Sequence, residues 1–313
     1  FSSILAEIGF EPCKTYSEAD LLIINTCSVK QKAEDRINGY IKFVRSQVGV
    51  SPVIVISGCI ARRIWDENRN VSKTFQKKVN ERENELLKQF PLANFVIETK
   101  YFYKIREKLA KAFNEPSYVL KTDKIDYLSY TPLYNSRISA YVPISTGCNH
   151  FCTFCIVPFS RGKEVCRSAE EIITEVSNLI KTGYKEITLL GQTVNRWINP
   201  KFSNMYEYNE AQTSIKGLND KLVLKKELNK WSTQFEKFLN NNIPLDFSSV
   251  FMPRDFLQLL QVLDRLPGEW WLNWVSSHPN YFTLKLINYI GKSIENNNDK
   301  ALHRTHQKSY LHF

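Results

Sequence analysis

The chain has 313 residues, of which 43% are hydrophobic, so it has enough apolar sequence for two packed domains and wholesale disorder is excluded. No apolar run reaches the roughly 18 residues that a membrane span requires, and residues 1–25 lack the pattern of a signal peptide. The net charge of +10 favours a polyanionic partner such as nucleic acid, although lysines scattered on solvated helix faces would give the same total.

The cysteines number seven, which is odd, and three of them lie within eight residues of one another. Without a secretory signal, this distribution indicates metal binding in a reducing compartment rather than a disulfide framework. We therefore expect a cytoplasmic protein that binds metal and does not associate with a membrane.

The N-terminal sequence predicts a parallel βαβ unit. The first nine residues read as the back half of a helix that ends at a glycine, so the chain is expected to begin inside a domain. A buried strand over 19–25, a helix over 28–47 and a second buried strand over 52–57 follow. Weaker patterns come next, and they predict a charged helix over 77–88, a short strand over 94–98 and a linker over 117–136.

Strands and helices alternate again after the linker. The strands are predicted over 140–145, 186–192 and 270–277, and the helices over 169–181, with Ser168 as N-cap, and over 255–266. This alternation predicts a parallel α/β barrel or half-barrel. Residues 199–250 are rich in Asn and Lys and are expected to be an insertion. The fold class is therefore α/β, with an N-terminal parallel-sheet domain over 1–125 and a second, incomplete barrel domain over 137–313.

Cys148, Cys152 and Cys155 have CxxxCxxC spacing directly after a predicted strand. Three thiolates on one short loop can hold three irons of a [4Fe–4S] cluster and leave the fourth iron open for a ligand. The alternative is a structural zinc site with His150 as the fourth ligand. Zinc sites more often use CxxC pairs, and His150 lies between two of the cysteines, so the spacing favours the cluster.

Cys27 and Cys59 each stand at the carboxyl end of a strand in the predicted βαβ unit. Adjacent strands lie about 5 Å apart, and ligand sites in open α/β sheets gather at this edge. Two thiolates are therefore expected to converge on one site. The alternative is that each cysteine is a small apolar residue after a buried strand.

Several segments together resemble the radical S-adenosylmethionine (SAM) methylthiotransferase family, in the order of that family. They are Asn25–Lys30, Ser57–Ala61, Gly147–Glu164, Leu190–Asn195 and Ser276–Pro279. The resemblance covers about residues 1–199 and 253–290. The first and third segments are most similar to the MiaB branch, which modifies isopentenylated adenosine beside the tRNA anticodon.

This resemblance implies an enzyme with two [4Fe–4S] clusters and SAM as cofactors. One cluster would reduce SAM to methionine and a 5′-deoxyadenosyl radical, and the radical would abstract hydrogen from position 2 of the adenine so that a methylthio group can be added. The implied partners are the anticodon stem-loop of tRNA and an electron donor such as flavodoxin or ferredoxin, and the protein is expected to be a monomer. Other branches modify threonylcarbamoyl-adenosine or a ribosomal protein aspartate, and a non-catalytic metal-bearing RNA-binding module is the alternative outside the family.

The resemblance also assigns roles to individual residues. Cys148, Cys152 and Cys155 would hold the cluster that cleaves SAM. Cys27 and Cys59 would be two of three ligands of an auxiliary cluster, whose first ligand is expected before residue 1. The expected SAM-contacting residues are Phe154, Gln192 and Ser277.

The remaining candidates are less specific. Cys13 and Cys166 match no ligand position and are interpreted as structural and incidental. His278 ends the third barrel strand, where it is either at the catalytic rim or a turn residue before a proline. Arg161 and Glu164 could line the substrate opening or form an ion pair, and Trp270, Trp271 and Trp274 are expected in the core. Because only three barrel strands are recognisable, we expect these 313 residues alone to be an incomplete enzyme.

Overall fold

The protein is described here by a computed structural model. The structure describes residues 1–27, 31–47, 52–61, 83–118, 128, 130, 132–134, 136–205 and 225–295. The chain divides into two compact units. Unit 1 consists of Phe1–Leu133 and Cys148–Lys163, and unit 2 of Tyr134–Gly147 and Glu164–Phe313.

Unit 1 is built on a parallel sheet in the strand order β1-β2-β3. The strands are β1 (Leu21–Thr26), β2 (Val53–Gly58) and β3 (Phe95–Val96). The helices are α1 (Ser2–Glu7), α2 (Gln31–Gln47), α3 (residues 83–89), α4 (Ile105–Phe113) and the short α5 (Val157–Ser160). The predicted βαβ unit is confirmed, because β1 and β2 pair in parallel on either side of α2.

Both faces of this sheet are covered, as expected for a parallel sheet. Alternate residues of β2 point to opposite faces. Ile54 and Ile56 pack with residues of α2 and α3, and Val55 packs with α1 and α4. The apolar run in β2 is thus explained by burial on both sides.

Unit 2 has a second parallel sheet in the order β4-β7-β8, together with an antiparallel pair. The parallel strands are β4 (Ser139–Pro143), β7 (Glu186–Leu190) and β8 (Trp271–Trp274), and the pair is β5 (Ser145–Thr146) with β6 (Val165–Cys166). The helices are α6 (Ala169–Lys181), α7 (Lys225–Asn241), α8 (Phe256–Leu263) and α9 (Leu284–Glu295). The predicted strand over 140–145 is divided between β4 and β5.

Helix α6 begins as its sequence predicts. Ser168 accepts a hydrogen bond from the Glu171 backbone N–H, and the Glu171 side chain accepts one from the Ser168 backbone N–H, so both halves of a capping box are present. Gly183, just beyond the helix, has φ 97°, a conformation that favours glycine.

Helix α7 lies within the segment expected to be an insertion. Its residues Leu228, Trp231 and Phe235 are buried in the core of unit 2 with residues of α6 and α8. The indole N–H of Trp231 donates a hydrogen bond to the carbonyl oxygen of Phe251 at 2.7 Å. This part of the segment is therefore integral to the packing of unit 2.

The described residues confirm a mixed α/β protein with parallel sheets. In those residues, no helix combines the length and apolarity needed to cross a bilayer. The predicted domain limits, 1–125 and 137–313, stay a prediction.

Candidate metal and cofactor site

Cys27 and Cys59 follow the carboxyl ends of neighbouring strands in unit 1. The ladder between β1 and β2 ends with Thr26 opposite Gly58, and each cysteine is the next residue along its strand. Cys27 is exposed and Cys59 is half-buried. Because paired strands are about 5 Å apart, the two thiols begin at neighbouring points of one sheet edge.

The backbone at Gly58 directs the chain away from β2. Gly58 has φ 92°, which disfavours any residue with a β-carbon. After Gly58 the chain enters a 3₁₀ turn, Cys59–Ala61, in which Ile60 and Ala61 are buried. The position of Cys59 is therefore fixed by the glycine before it and by the two buried residues after it.

The loop from Cys148 to Cys155 is closed by backbone hydrogen bonds. The Cys148 N–H donates to the Gly162 carbonyl oxygen at 3.0 Å, and the Cys155 N–H donates to the Cys152 carbonyl oxygen at 2.9 Å. The three cysteines of the loop are half-buried. The second bond forms a turn that places Cys152 and Cys155 at its two ends.

Both sets of cysteines belong to unit 1. The loop residues Cys148–Lys163 are grouped with Phe1–Leu133, and α5 lies beside the turn Cys59–Ala61. The domain limits predicted from the sequence, 1–125 and 137–313, would place the two sets in different domains. The two sets share unit 1 because the loop leaves the strand β5 of unit 2 and packs on unit 1.

The donor set fits an iron–sulfur cluster. All seven cysteines lie among the described residues, and none of them forms a disulfide bond. The described part of the chain does not bring three Cys, His, Asp or Glu side chains close enough together to hold a metal ion. The chemistry of the donors nevertheless fits, because three thiolates on one loop can each bind one iron of a [4Fe–4S] cluster and leave the fourth iron open for another ligand.

Two aromatic side chains of the loop behave differently. Phe154 is 90% exposed, so its ring makes little contact with the protein and is available to a ligand. Phe151 has φ 48°, and its ring packs edge-on against Phe159 with 6.4 Å between centroids. The expected contact of Phe154 with SAM stays a prediction.

Polar groups gather at the carboxyl edge of the sheet in unit 2. Gln192 lies two residues beyond β7, and Ser277 three residues beyond β8. The hydroxyls of Ser145 and Ser277 are buried and have no hydrogen-bond partner in the structure. A buried hydroxyl without a partner is unfavourable by about 1–3 kcal/mol. A polar ligand could provide such a partner.

Gly191 keeps this edge open. A β-carbon at Gly191 would lie 2.6 Å from the Ser145 hydroxyl oxygen and 3.3 Å from Cα of Val194. Any larger residue would therefore push Ser145 or the following turn out of place. Ser145 was not predicted from the sequence, since its only signal is a position just before the cysteine loop.

The turn Val194–Arg196 after β7 holds the segment after β8. The Val194 N–H donates to the Ser276 carbonyl oxygen at 3.1 Å. The Asn195 amide exchanges two hydrogen bonds with the backbone of His278, at 2.9 and 2.8 Å. His278 is thus anchored by Asn195, the last residue of the segment Leu190–Asn195, for which no role of its own was predicted from the sequence.

Glu164 pairs with Arg196, at 3.1 Å, and the two side chains are only 8% and 11% exposed. Burial raises the pKa of the Glu164 carboxyl to about 7, and the positive charge of Arg196 opposes that rise. Arg161, its alternative partner in the sequence interpretation, is exposed. Burial, together with the nearby Glu164, raises the pKa of the Cys166 thiol to about 12, so this thiol stays protonated at neutral pH. The interpretation of Cys166 as incidental stays a prediction.

The tryptophans of the third strand are mostly core residues. Trp270 and Trp274 are buried, as predicted, whereas Trp271 is about half-exposed. Cys13 is exposed, and its thiol lies 3.4 Å from the Thr15 carbonyl oxygen. Neither the burial of these tryptophans nor the Cys13 contact indicates a ligand site.

Sequence comparisons cover both cysteine regions. Residues 1–95 match the family described as "Uncharacterized protein family UPF0004", and residues 142–210 match the radical SAM superfamily. The chain is 35% identical over 195 residues to "tRNA-2-methylthio-N(6)-dimethylallyladenosine synthase" of Thermosipho melanesiensis. Proteins of the same name from Bartonella tribocorum and Clostridium beijerinckii are 32% and 34% identical over 206 and 201 residues.

These alignments cover 62–63% of this chain and 40–41% of each relative. The chain therefore spans about two fifths of the length of the curated relatives it matches. The resemblance identified from the cysteine motifs is confirmed, because a UPF0004 segment and a radical SAM segment occur in one chain that is similar to these proteins.

Proposed function

The chain joins a UPF0004 segment to a radical SAM domain, and from this pairing we propose that it acts in a tRNA methylthiotransferase of the MiaB type. The proposed reaction adds a methylthio group to position 2 of N6-isopentenyladenosine next to the anticodon. The observation that carries the proposal is the loop of three thiols that follows β5 within the radical SAM match.

We assign the cluster that activates SAM to Cys148, Cys152 and Cys155. When bound, the cluster and SAM would supply reductive cleavage of the cofactor to a 5′-deoxyadenosyl radical. The three thiolates hold the metal, and the turn between Cys152 and Cys155 fixes their spacing. Phe154, whose ring is 90% exposed, is proposed to cover the adenine of bound SAM.

The polar edge of unit 2 is assigned to the remainder of the cofactor. Gln192 and Ser277 are the predicted contacts, and we add Ser145 because its buried hydroxyl is equally without a partner. Hydroxyl and amide groups can bind the amino and carboxylate groups of a methionine moiety. The hydroxyls of Ser145 and Ser277 are buried, which excludes competing water and would strengthen their hydrogen bonds to a ligand.

A second [4Fe–4S] cluster is proposed at Cys27 and Cys59, and would supply sulfur. These thiols start from adjacent residues of one sheet edge, which supports a common site. Two protein thiolates leave such a cluster short of one ligand, so a third cysteine is expected in the full-length protein.

The remaining features of the proposal concern partners. The net charge of +10 supports binding of the tRNA anticodon stem-loop through phosphate contacts. An electron donor such as flavodoxin or ferredoxin would reduce the cluster. We propose a monomer that acts in the cytoplasm.

The test uses the full-length protein, reconstituted with iron and sulfide without oxygen. It is incubated with SAM, a reductant and tRNA that carries isopentenyladenosine, and nucleosides are then analysed by mass spectrometry. We expect 2-methylthio-N6-isopentenyladenosine with this tRNA and none with tRNA that lacks the isopentenyl group. Modification only of threonylcarbamoyl-adenosine or of a ribosomal protein would contradict the proposed substrate. Zinc in place of iron, without thiolate-to-iron absorption, would contradict the enzyme class.

A further inference from the structure

We propose that Asn195 is a positioning residue that fixes the backbone of Ser277 and His278 for cofactor binding. The proposal rests on the proposed function, because Ser277 is one of the residues expected to contact SAM. Asn195 itself is not proposed to touch the cofactor. Its role would be to hold the residues that do.

The carrying observation is a pair of hydrogen bonds between the Asn195 side chain and one backbone residue. The Asn195 Nδ2 group donates to the His278 carbonyl oxygen at 2.9 Å, and the His278 N–H donates to Asn195 Oδ1 at 2.8 Å. Asn195 is 7% exposed. The amide therefore bonds both backbone groups of His278, as a residue of a paired β-strand would. Because the amide is buried from water, these hydrogen bonds are expected to be strong.

The neighbours of Asn195 contact the same segment. The Val194 N–H donates to the Ser276 carbonyl oxygen at 3.1 Å, and the Arg196 guanidinium lies 5.6 Å from the centre of the Tyr281 ring. Three consecutive residues of the turn after β7 thus contact the segment after β8. These contacts hold the two turns together within unit 2.

The segment needs such support. Ser276 has φ 65°, a left-handed conformation that is unfavourable for serine by about 1–2 kcal/mol. The next residue, Ser277, keeps a buried hydroxyl without a partner, which is also unfavourable. Neither arrangement is expected to persist unless surrounding contacts impose it, and the bonds to Val194 and Asn195 are the ones that flank both residues.

The same support directs the imidazole of His278. His278 Nδ1 accepts a hydrogen bond from the Asn280 N–H at 3.3 Å, and its ring lies against Tyr281 with 5.7 Å between centroids. When the ring is neutral, an acceptor at Nδ1 requires the proton on Nε2. By holding the His278 backbone, Asn195 therefore fixes the position of the imidazole and of its Nε2–H donor.

The experiment compares Asn195→Ala with wild type in the full-length protein. Hydrogen–deuterium exchange without cofactor should rise in a peptide that covers residues 276–282. With reconstituted protein, the SAM concentration for half-maximal 5′-deoxyadenosine formation should rise about tenfold, the size of two lost hydrogen bonds. The maximal rate should change less, because the cluster ligands are untouched.

Asn199→Ala is the matched control. Asn199 is another buried asparagine of unit 2, but its Nδ2 group donates to the Pro253 carbonyl oxygen at 2.9 Å, away from the segment after β8. It should leave exchange in residues 276–282 and the SAM requirement as in wild type. Equal effects of Asn195→Ala and Asn199→Ala would overturn the proposal, since general loosening would then explain both.

Asn195→Asp gives a readout that a packing role would not produce. An ionised carboxylate has no hydrogen for the His278 carbonyl oxygen, whereas the protonated carboxyl does. The rate of SAM cleavage by the variant relative to that of wild type should therefore rise as the pH falls. A ratio that stays flat, or a wild-type SAM requirement in Asn195→Ala, would contradict the proposal. Failure of the wild-type protein to cleave SAM would instead contradict the proposed function.

Discussion

Gly58 leaves the space that the carbonyl oxygen of Thr26 occupies. A β-carbon on Gly58 would overlap that oxygen and lie 2.5 Å from Oδ1 of Asn25. Gly58 also has φ 92°. The close approach of the two strands, at the point where each gives way to a cysteine, is therefore possible only with glycine at this position.

Gly58→Ala should damage the candidate auxiliary site. The β-carbon must push Thr26 away, and the left-handed backbone adds about 1–2 kcal/mol of strain. We expect a lower melting temperature and less iron retained after reconstitution. The lost iron should be that of the proposed auxiliary cluster, which Cys59 would hold. Differential scanning calorimetry and iron analysis measure the two effects.

Gly39→Ala is the control for that variant. Gly39 lies in the interior of α2, and apart from its chain neighbours and the backbone of α2 no atom lies within 4 Å of where its β-carbon would be. Alanine favours a helix over glycine by about 1 kcal/mol. The variant should be as stable as wild type or slightly more so, with unchanged iron. If both alanine variants lost iron, the reason given for Gly58 would be wrong.

The two cysteine sets should have separable roles in the full-length enzyme. Replacing Cys148, Cys152 or Cys155 by Ala should abolish 5′-deoxyadenosine formation, because each thiolate is proposed to hold one iron of the cluster that cleaves SAM. Replacing Cys27 or Cys59 by Ala should spare that cleavage and abolish methylthiolation of tRNA. Liquid chromatography of 5′-deoxyadenosine and mass spectrometry of tRNA nucleosides report the two outcomes.

Cys13→Ala is the matched control, since Cys13 is exposed and belongs to neither set. It should leave both activities unchanged. Both sets lie in unit 1, and α5 lies beside the turn that Cys59 begins. A substitution at Cys59 could therefore disturb the neighbouring cysteine loop, and the fold of each variant must be checked. Loss of SAM cleavage in Cys59→Ala, with circular dichroism unchanged, would mean that the cysteines share one site.

Glu164 should make stability depend on pH. Burial raises its pKa to about 7 in the folded protein from 4.5 in the unfolded chain, so the folded state binds the proton more tightly. The stability this provides is fully present below pH 4.5 and is lost as the pH rises towards 7. The melting temperature of the cofactor-free protein should therefore fall over this window more steeply in wild type than in Glu164→Gln.

The same substitution at Glu236, an exposed residue of α7, is the control. Glu236→Gln should follow the pH dependence of the wild type. If the melting temperatures of wild type and Glu164→Gln changed with pH in parallel, the Glu164 carboxyl would not be the source of the pH dependence.

Phe235→Ala should destabilise unit 2 although it lies in the expected insertion. The ring is fully buried and packs beside Trp231, with 5.3 Å between centroids. Removing a buried phenylalanine ring costs about 3–5 kcal/mol. Chemical denaturation should show this loss, whereas Lys237→Ala on the exposed face should change little. An unchanged midpoint for Phe235→Ala would mean that α7 is dispensable.

The features predicted correctly are those written in local sequence. The capping box at Ser168 and Glu171 spans four residues, and the apolar runs of β1 and β2 are continuous, so their period can be read directly. The position of Cys27 and Cys59 followed from the same runs, because a parallel pair brings its carboxyl ends to one edge.

The features that were missed depend on distant residues. Asn195 and His278 are 83 residues apart, and nothing around either residue indicates the other. The core role of α7 was obscured by composition, because exposed Lys and Asn residues outnumber Leu228, Trp231 and Phe235. Their spacing of three and four residues was the signal available in the sequence.

Unit 1 is made of two separate stretches of chain, the second of which is Cys148–Lys163. During synthesis, residues up to 133 leave the ribosome before this second stretch emerges. Domains usually fold as they leave the ribosome, but the packing of unit 1 cannot be completed until residue 163 is free. For that interval the surface that receives the cysteine loop stays uncovered, so the site proposed for the SAM cluster cannot be completed before residue 163 has emerged.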